Sequence, residues 1–185
     1  MMQIKILIFT ILLISLFSTY AHTETPKTCQ LAQGMISIEN NLSNWKYDSA
    51  SFAANTNSCT LEKKDSVENP VYANSQIQVF YTPHQQISGD FNSYVNFKTD
   101  STRREEGVTD LKLNDATFAG KKAKLMTYQK NWKSSFDEGK STLVSHKTYL
   151  VVEPNYIVDI ITYAPQVDTQ AFPEIEKLIQ TIKLK

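Results

Sequence analysis

The chain has 185 residues, and its 19 Lys and Arg balance 19 Asp and Glu, so the formal charge is zero. A hydrophobic content of 41% supports a globular core and excludes a disordered chain. Zero net charge argues against nucleic acid as a partner, since neutralising phosphates takes an excess of Lys and Arg. The length fits one domain with a tail.

Residues 1–21 read as a secretory signal peptide. Lys5 supplies the positive start, and Ile6 to Phe17 is an apolar run broken only by Thr10 and Ser15. Thr19 and Ala21 put small residues at the minus-three and minus-one positions of a peptidase site. The run of 12 residues falls short of the roughly 20 that span a bilayer, so no stable membrane anchor is expected after cleavage. The expected mature chain starts at His22 and is periplasmic or secreted. Thr25-Pro26-Lys27-Thr28, ahead of Cys29, is not the small apolar stretch of a lipoprotein.

Residues 22–34 are polar, contain Pro26 and end at Gly34, which predicts a flexible N-terminal arm. The two cysteines are Cys29 and Cys59. In an oxidising compartment such a pair bonds. The expected disulfide closes a loop of about 30 residues, worth roughly 3–4 kcal/mol in the chain-entropy account. A metal or redox pair is the alternative, but the Cys-x-x-Cys spacing of redox dithiols is absent.

A single domain is expected over residues 35–185. Met35–Glu39 alternates like a short strand, and Asn40, Asn41, Ser43 and Asn44 form a turn. Trp45–Phe52 and Cys59–Lys63 read as short strands and residues 64–74 as a loop. Gln76–Tyr81 is a strand with Ile77, Val79 and Tyr81 on one face, ended by Pro83. Asp90 is a helix N-cap, followed by Phe91, Tyr94 and Val95 at helical spacing. That helix is expected to run to Glu106 and stop at Gly107. Thr109–Phe118 and Lys122–Trp132 are strands around the Ala119-Gly120 turn. Ser141–Glu153 and Tyr156–Ala164 pair across Pro154-Asn155, placing Val152 opposite Ile157 and His146 opposite Tyr163. Tyr156–Tyr163 is apolar on both faces except at Asp159, as a central strand covered on both sides would be. Residues 171–183 form a last helix, with Phe172, Ile175, Leu178, Ile179 and Ile182 as its apolar stripe. The layout is α+β: a mostly antiparallel sheet flanked by two helices, an α/β/α sandwich.

Three segments carry a resemblance. Thr117-Phe118-Ala119-Gly120-Lys121-Lys122-Ala123 is similar to a strand–glycine–strand corner. Tyr156-Ile157-Val158-Asp159-Ile160, with Phe172, Ile175, Ile179, Ile182, Lys183 and Leu184, is similar to a closing strand and helix. Trp45 resembles a tryptophan near the start of a domain. Together they resemble the PsbP-like fold family, which includes the extrinsic photosystem II protein PsbP and bacterial periplasmic proteins such as DcrB. The resemblance covers about residues 35–185. It implies a non-enzymatic binding, assembly or adaptor role, and a fold alone does not set a function.

Catalytic signals are missing. No pair of His four apart with an intervening Glu occurs, no Gly-x-Ser-x-Gly elbow, and five glycines make no phosphate cradle. No cofactor is expected. His84 reads as a loop residue and His146 as a partly buried strand residue. His22, if it becomes the mature N-terminus, brings an α-amine and an imidazole together, a pair that chelates copper with a further His. Asp159 is the most isolated carboxylate, with Lys147 and Lys112 as candidate partners. Lys121, Lys122, Lys124, Lys130 and Lys133 form a basic stripe, read as a solvated strand edge. Trp132 and Phe136 flank a hairpin tip with Tyr128 nearby, and exposed aromatics of this kind serve as contact sites for a protein partner. The expected function is an exported, non-catalytic, protein-binding adaptor, assembly factor or immunity/inhibitor-type domain. The alternative is a small-ligand or copper-binding protein using His22.

Overall fold

The computed structural model describes residues 28–52, 56–64, 74–87, 90–134 and 139–185. The signal peptide expected over residues 1–21, His22 and Phe136 lie outside them. The strands are β1 (Thr28–Leu31), β2 (Ile36–Glu39), β3 (Trp45–Tyr47), β4 (Ser58–Lys63), β5 (Gln76–Pro83), β6 (Val108–Phe118), β7 (Lys121–Lys133), β8 (Ser141–Glu153), β9 (Tyr156–Pro165) and β10 (Lys183–Leu184). The helices are α1 (Phe91–Arg104) and α2 (Ala171–Ile179).

A seven-stranded sheet runs β3-β4-β5-β9-β8-β7-β6, and β1-β2-β10 form a smaller one. All the described pairings are antiparallel, most of them between consecutive strands, with β5–β9 and β2–β10 made over long range. β9 lies mid-sheet between β5 and β8. It is buried on both faces, as its two-sided apolar pattern requires. The β8–β9 hairpin has the expected register, Val152 opposite Ile157 and His146 opposite Tyr163.

Alternation along the strands sorts side chains onto two faces. On the first face, Leu61, Ile77, Val79, Val158, Ile160 and Val151 join the core with α2 and the small sheet. Helix α2 inserts Ala171, Ile175, Leu178 and Ile179. A buried polar clamp fixes α2 here. Lys63 Nζ lies 2.9 Å from Asp168 and 3.2 Å from Glu174. Ser75 donates to Asp168, while the Trp45 indole and the Asn44 amide donate to Glu174. Burial pulls the Lys63 ammonium down, but its hydrogen bonds to the two carboxylates outweigh this and hold it above its ordinary value. Over the second face lies α1, capped as expected by Asp90, whose carboxylate accepts from Ser93 N at 2.8 Å. The result is an α/β/α sandwich.

Four boundaries differ from the sequence reading. The strand expected over Trp45–Phe52 stops at Tyr47, and Ser49–Phe52 winds into a short helical turn. The arm expected over residues 22–34 contains β1, whose Cys29 and Leu31 are fully buried. Helix α1 stops at Arg104, with Glu105 already extended and Gly107 at φ +78° in the turn into β6. Only Val95 of Phe91, Tyr94 and Val95 is fully buried. The last helix ends at Ile179, because Lys183–Leu184 leaves it to pair with β2.

Cys29 and Cys59, expected as a disulfide, are free thiols in this structure. Both are completely buried, and the two thiols are neighbours that shift each other's pKa. Cys29 Sγ also approaches the Ser51 carbonyl at 3.4 Å. Contact with Cys29, together with burial, pushes the Cys59 thiol well up.

Candidate functional site

The second sheet face carries the unusual chemistry. Four adjacent strands place Tyr128, His146, Tyr163 and Gln76 in one cross-strand row. The Tyr128 and His146 rings stack at 4.4 Å and 9°. Trp132, four residues along β7 from Tyr128, closes over the row, 5.9 Å from His146 and 5.3 Å from Tyr163. The Tyr163 hydroxyl donates to Gln76 Oε1 at 2.6 Å.

Polar atoms in this row lack partners. Neither ring nitrogen of His146 nor Trp132 Nε1 makes a hydrogen bond, although all three are buried. Leaving such groups unpaired costs about 1–3 kcal/mol each. Burial, helped by the Lys130 charge, lowers the His146 pKa to about 4, so the ring is neutral near pH 7. Burial, with the nearby Glu105 and Glu62 charges respectively, pushes Tyr128 and Tyr163 up to about 12.

Trp132 forms a wall of a cleft of about 550 Å³ between the end of α1 and β7. Charged pairs rim it: Lys130 with Glu105 at 2.6 Å, and Lys133 with Glu106. The basic stripe of the sequence is thus largely matched by carboxylates, with Lys121 on Glu153 and Lys124 on Asp115. Trp132 is not a free aromatic at a hairpin tip. It is half-buried and packed into the row, which orders it before any partner arrives.

Asp159 sits on the same face, 4% exposed. Its Oδ2 accepts from the Tyr94 hydroxyl and pairs with Lys98 Nζ, each at 2.7 Å, while Oδ1 has no partner. Both partners come from α1, one helical turn apart. Neither Lys147 nor Lys112 is involved, and Lys147 pairs instead with Glu176 of α2. Burial and the Asp159 charge hold the Tyr94 hydroxyl well above its ordinary pKa. Phe80, opposite Asp159 in register, is 37% exposed, and Phe97, beside Lys98 on α1, is 68% exposed. Sequence reading missed both phenylalanines: Phe80 breaks the alternation of β5, which was the available signal.

Among the described residues, no three His, Cys, Asp or Glu stand together as a metal site needs. His84 is a half-buried turn residue after β5.

No protein-family model matches the chain, and no curated protein matches it in sequence. Solved structures do match its fold. LpqN of Mycobacterium tuberculosis, described as involved in cell envelope biogenesis, has a TM-score of 0.56 at 13% identity, covering 80% of this chain and 82% of LpqN. A Pseudomonas aeruginosa protein of unknown function has a TM-score of 0.50 at 14% identity, covering 67% of this chain and 80% of its own. A Bacteroides thetaiotaomicron protein has a TM-score of 0.50 at 11% identity, covering 87% of this chain and 49% of its own. At these identities the likeness is one of fold.

Proposed function

We propose that this chain is an exported, non-catalytic domain of the PsbP-like kind that acts in the cell envelope by binding another protein, as an adaptor, assembly factor or inhibitor. Trp132 carries the reading. Its indole is pre-ordered by Tyr163 and His146, its N–H lacks an acceptor, and a charged rim surrounds it. A packed aromatic anchor inside a polar rim is the arrangement of an interface hot spot. Tyr128, behind it, sets the position of the row. LpqN, which shares the fold, supports an envelope setting. In that setting the buried neighbours Cys29 and Cys59 close into a disulfide, their two electrons and two protons passing to a disulfide-bearing oxidant of the compartment.

A crosslinked pull-down tests this, with the oxidised mature chain as bait and envelope and secreted fractions as prey. The expected result is one reproducible stoichiometric partner, its capture reduced about tenfold by Trp132→Ala in a bait of matched thermal stability. No reproducible partner, or equal capture by both baits, would overturn the reading.

A further inference from the structure

On the opposite side of the sheet from Trp132 lies a cleft of about 720 Å³, built from β1, the turn after it, the segment around Phe52 and the end of β5. We propose that it binds a neutral saccharide. None of the eleven described residues that line it is charged, in a chain whose residues are 21% charged. Among these described residues a phosphate, carboxylate or ammonium ligand would find no counter-charge to replace its hydration. Gln30, Gln33, Asn57 and Tyr81 line the cleft with side-chain polar groups that bond to no other described residue. Each amide offers donors and an acceptor together, and the Tyr81 hydroxyl offers both. A sugar hydroxyl also donates and accepts, so this set matches a polyol.

The apolar face of a pyranose ring has a counterpart as well. Phe52 lines the cleft and is 40% exposed. Its ring packs in a T-shaped pair with Tyr47, with centroids 5.1 Å apart and planes at 82°. That contact fixes an open aromatic surface at the wall. The rim opposite is strained. Ala32, Gln33 and Gly34 have φ of +51°, +56° and +84°. For the two residues with a Cβ, that conformation costs about 1–2 kcal/mol each. Gln33, in the strained turn, is part of the cleft lining.

The site is separate from the Trp132 cleft, and a glycan array of neutral and acidic oligosaccharides tests it on the mature chain. Signals confined to neutral glycans are expected, falling at least tenfold in the Gln33→Ala/Asn57→Ala double variant. Trp132→Ala should leave them unchanged, which separates this site from the protein-binding one. Thermal midpoints of the variants are matched beforehand, and Phe52→Leu serves as a second variant that keeps an apolar wall but removes the ring. Binding of no neutral glycan, equal binding of acidic ones, persistence in the double variant, or loss with Trp132→Ala would each overturn the proposal.

Discussion

The two faces of the large sheet are built to different standards. Under α2, a buried lysine, two carboxylates, a serine, an asparagine and an indole satisfy one another. Under α1, four buried side-chain atoms have no partner among the described residues: Trp132 Nε1, both nitrogens of His146 and Asp159 Oδ1. The helices differ in the same sense. Helix α2 buries one alanine, two isoleucines and a leucine, whereas α1 buries Val95, Thr99 and Thr102. One face holds the molecule together. The other keeps unpaired polar groups and exposed phenylalanines under a thin cover, which is where a binding surface is expected.

Breaking the clamp should have the largest effect. Lys63→Met strands Asp168 and Glu174 and should cost about 3–5 kcal/mol in urea unfolding. Lys98→Met at Asp159 should cost about 1–2 kcal/mol, because Lys98 is one-third exposed and water can take its place. Equal costs would break the contrast between the faces. Reduction of a Cys29–Cys59 bond, which would staple the small sheet to the large one, should lower stability by about 3–4 kcal/mol. Unfolding with and without reductant, alongside the mass of the alkylated chain, reads it.

His146 sharpens the comparison through pH. Its folded pKa is about 4 against an ordinary 6.5, so the unfolded chain takes up the proton first. Its contribution is fully present above pH 6.5, is lost as pH falls towards about 4, and then levels off; the total is roughly 3 kcal/mol. His146→Phe keeps the stack and should flatten that part of the stability–pH curve. An unchanged slope would place the titration elsewhere. A comparably small effect is expected at α1 itself. Val95→Ala should cost about 1.5 kcal/mol, below the about 2–5 expected for Leu178→Ala on α2.

What the sequence made legible follows the same division. Period-two alternation and turn chemistry located β5 to β9 and even the β8–β9 register, because a one-residue slip would turn the apolar set of β9 inside out. Asp90 announced α1 through a local hydrogen bond. The small sheet was hidden, since β1 and β10 are four and two residues long, and β10 reaches β2 across most of the chain. Such short strands carry no periodicity of their own. At the candidate site, Trp132 and Tyr128 were readable as aromatics, but the row they form with His146 and Tyr163 exists only through strand order. Asp159 was expected to hold a lysine. That this is Lys98 depends on where α1 crosses the sheet, which no local pattern specifies.

Site-specific photocrosslinking in the native envelope tests the contrast most directly. A photoreactive residue is placed at Asn131, which lines the Trp132 cleft, or at Lys177, exposed on α2. The account predicts a discrete protein adduct from position 131 and none from position 177. An adduct from 177 alone would contradict it and move the working surface to the α2 side.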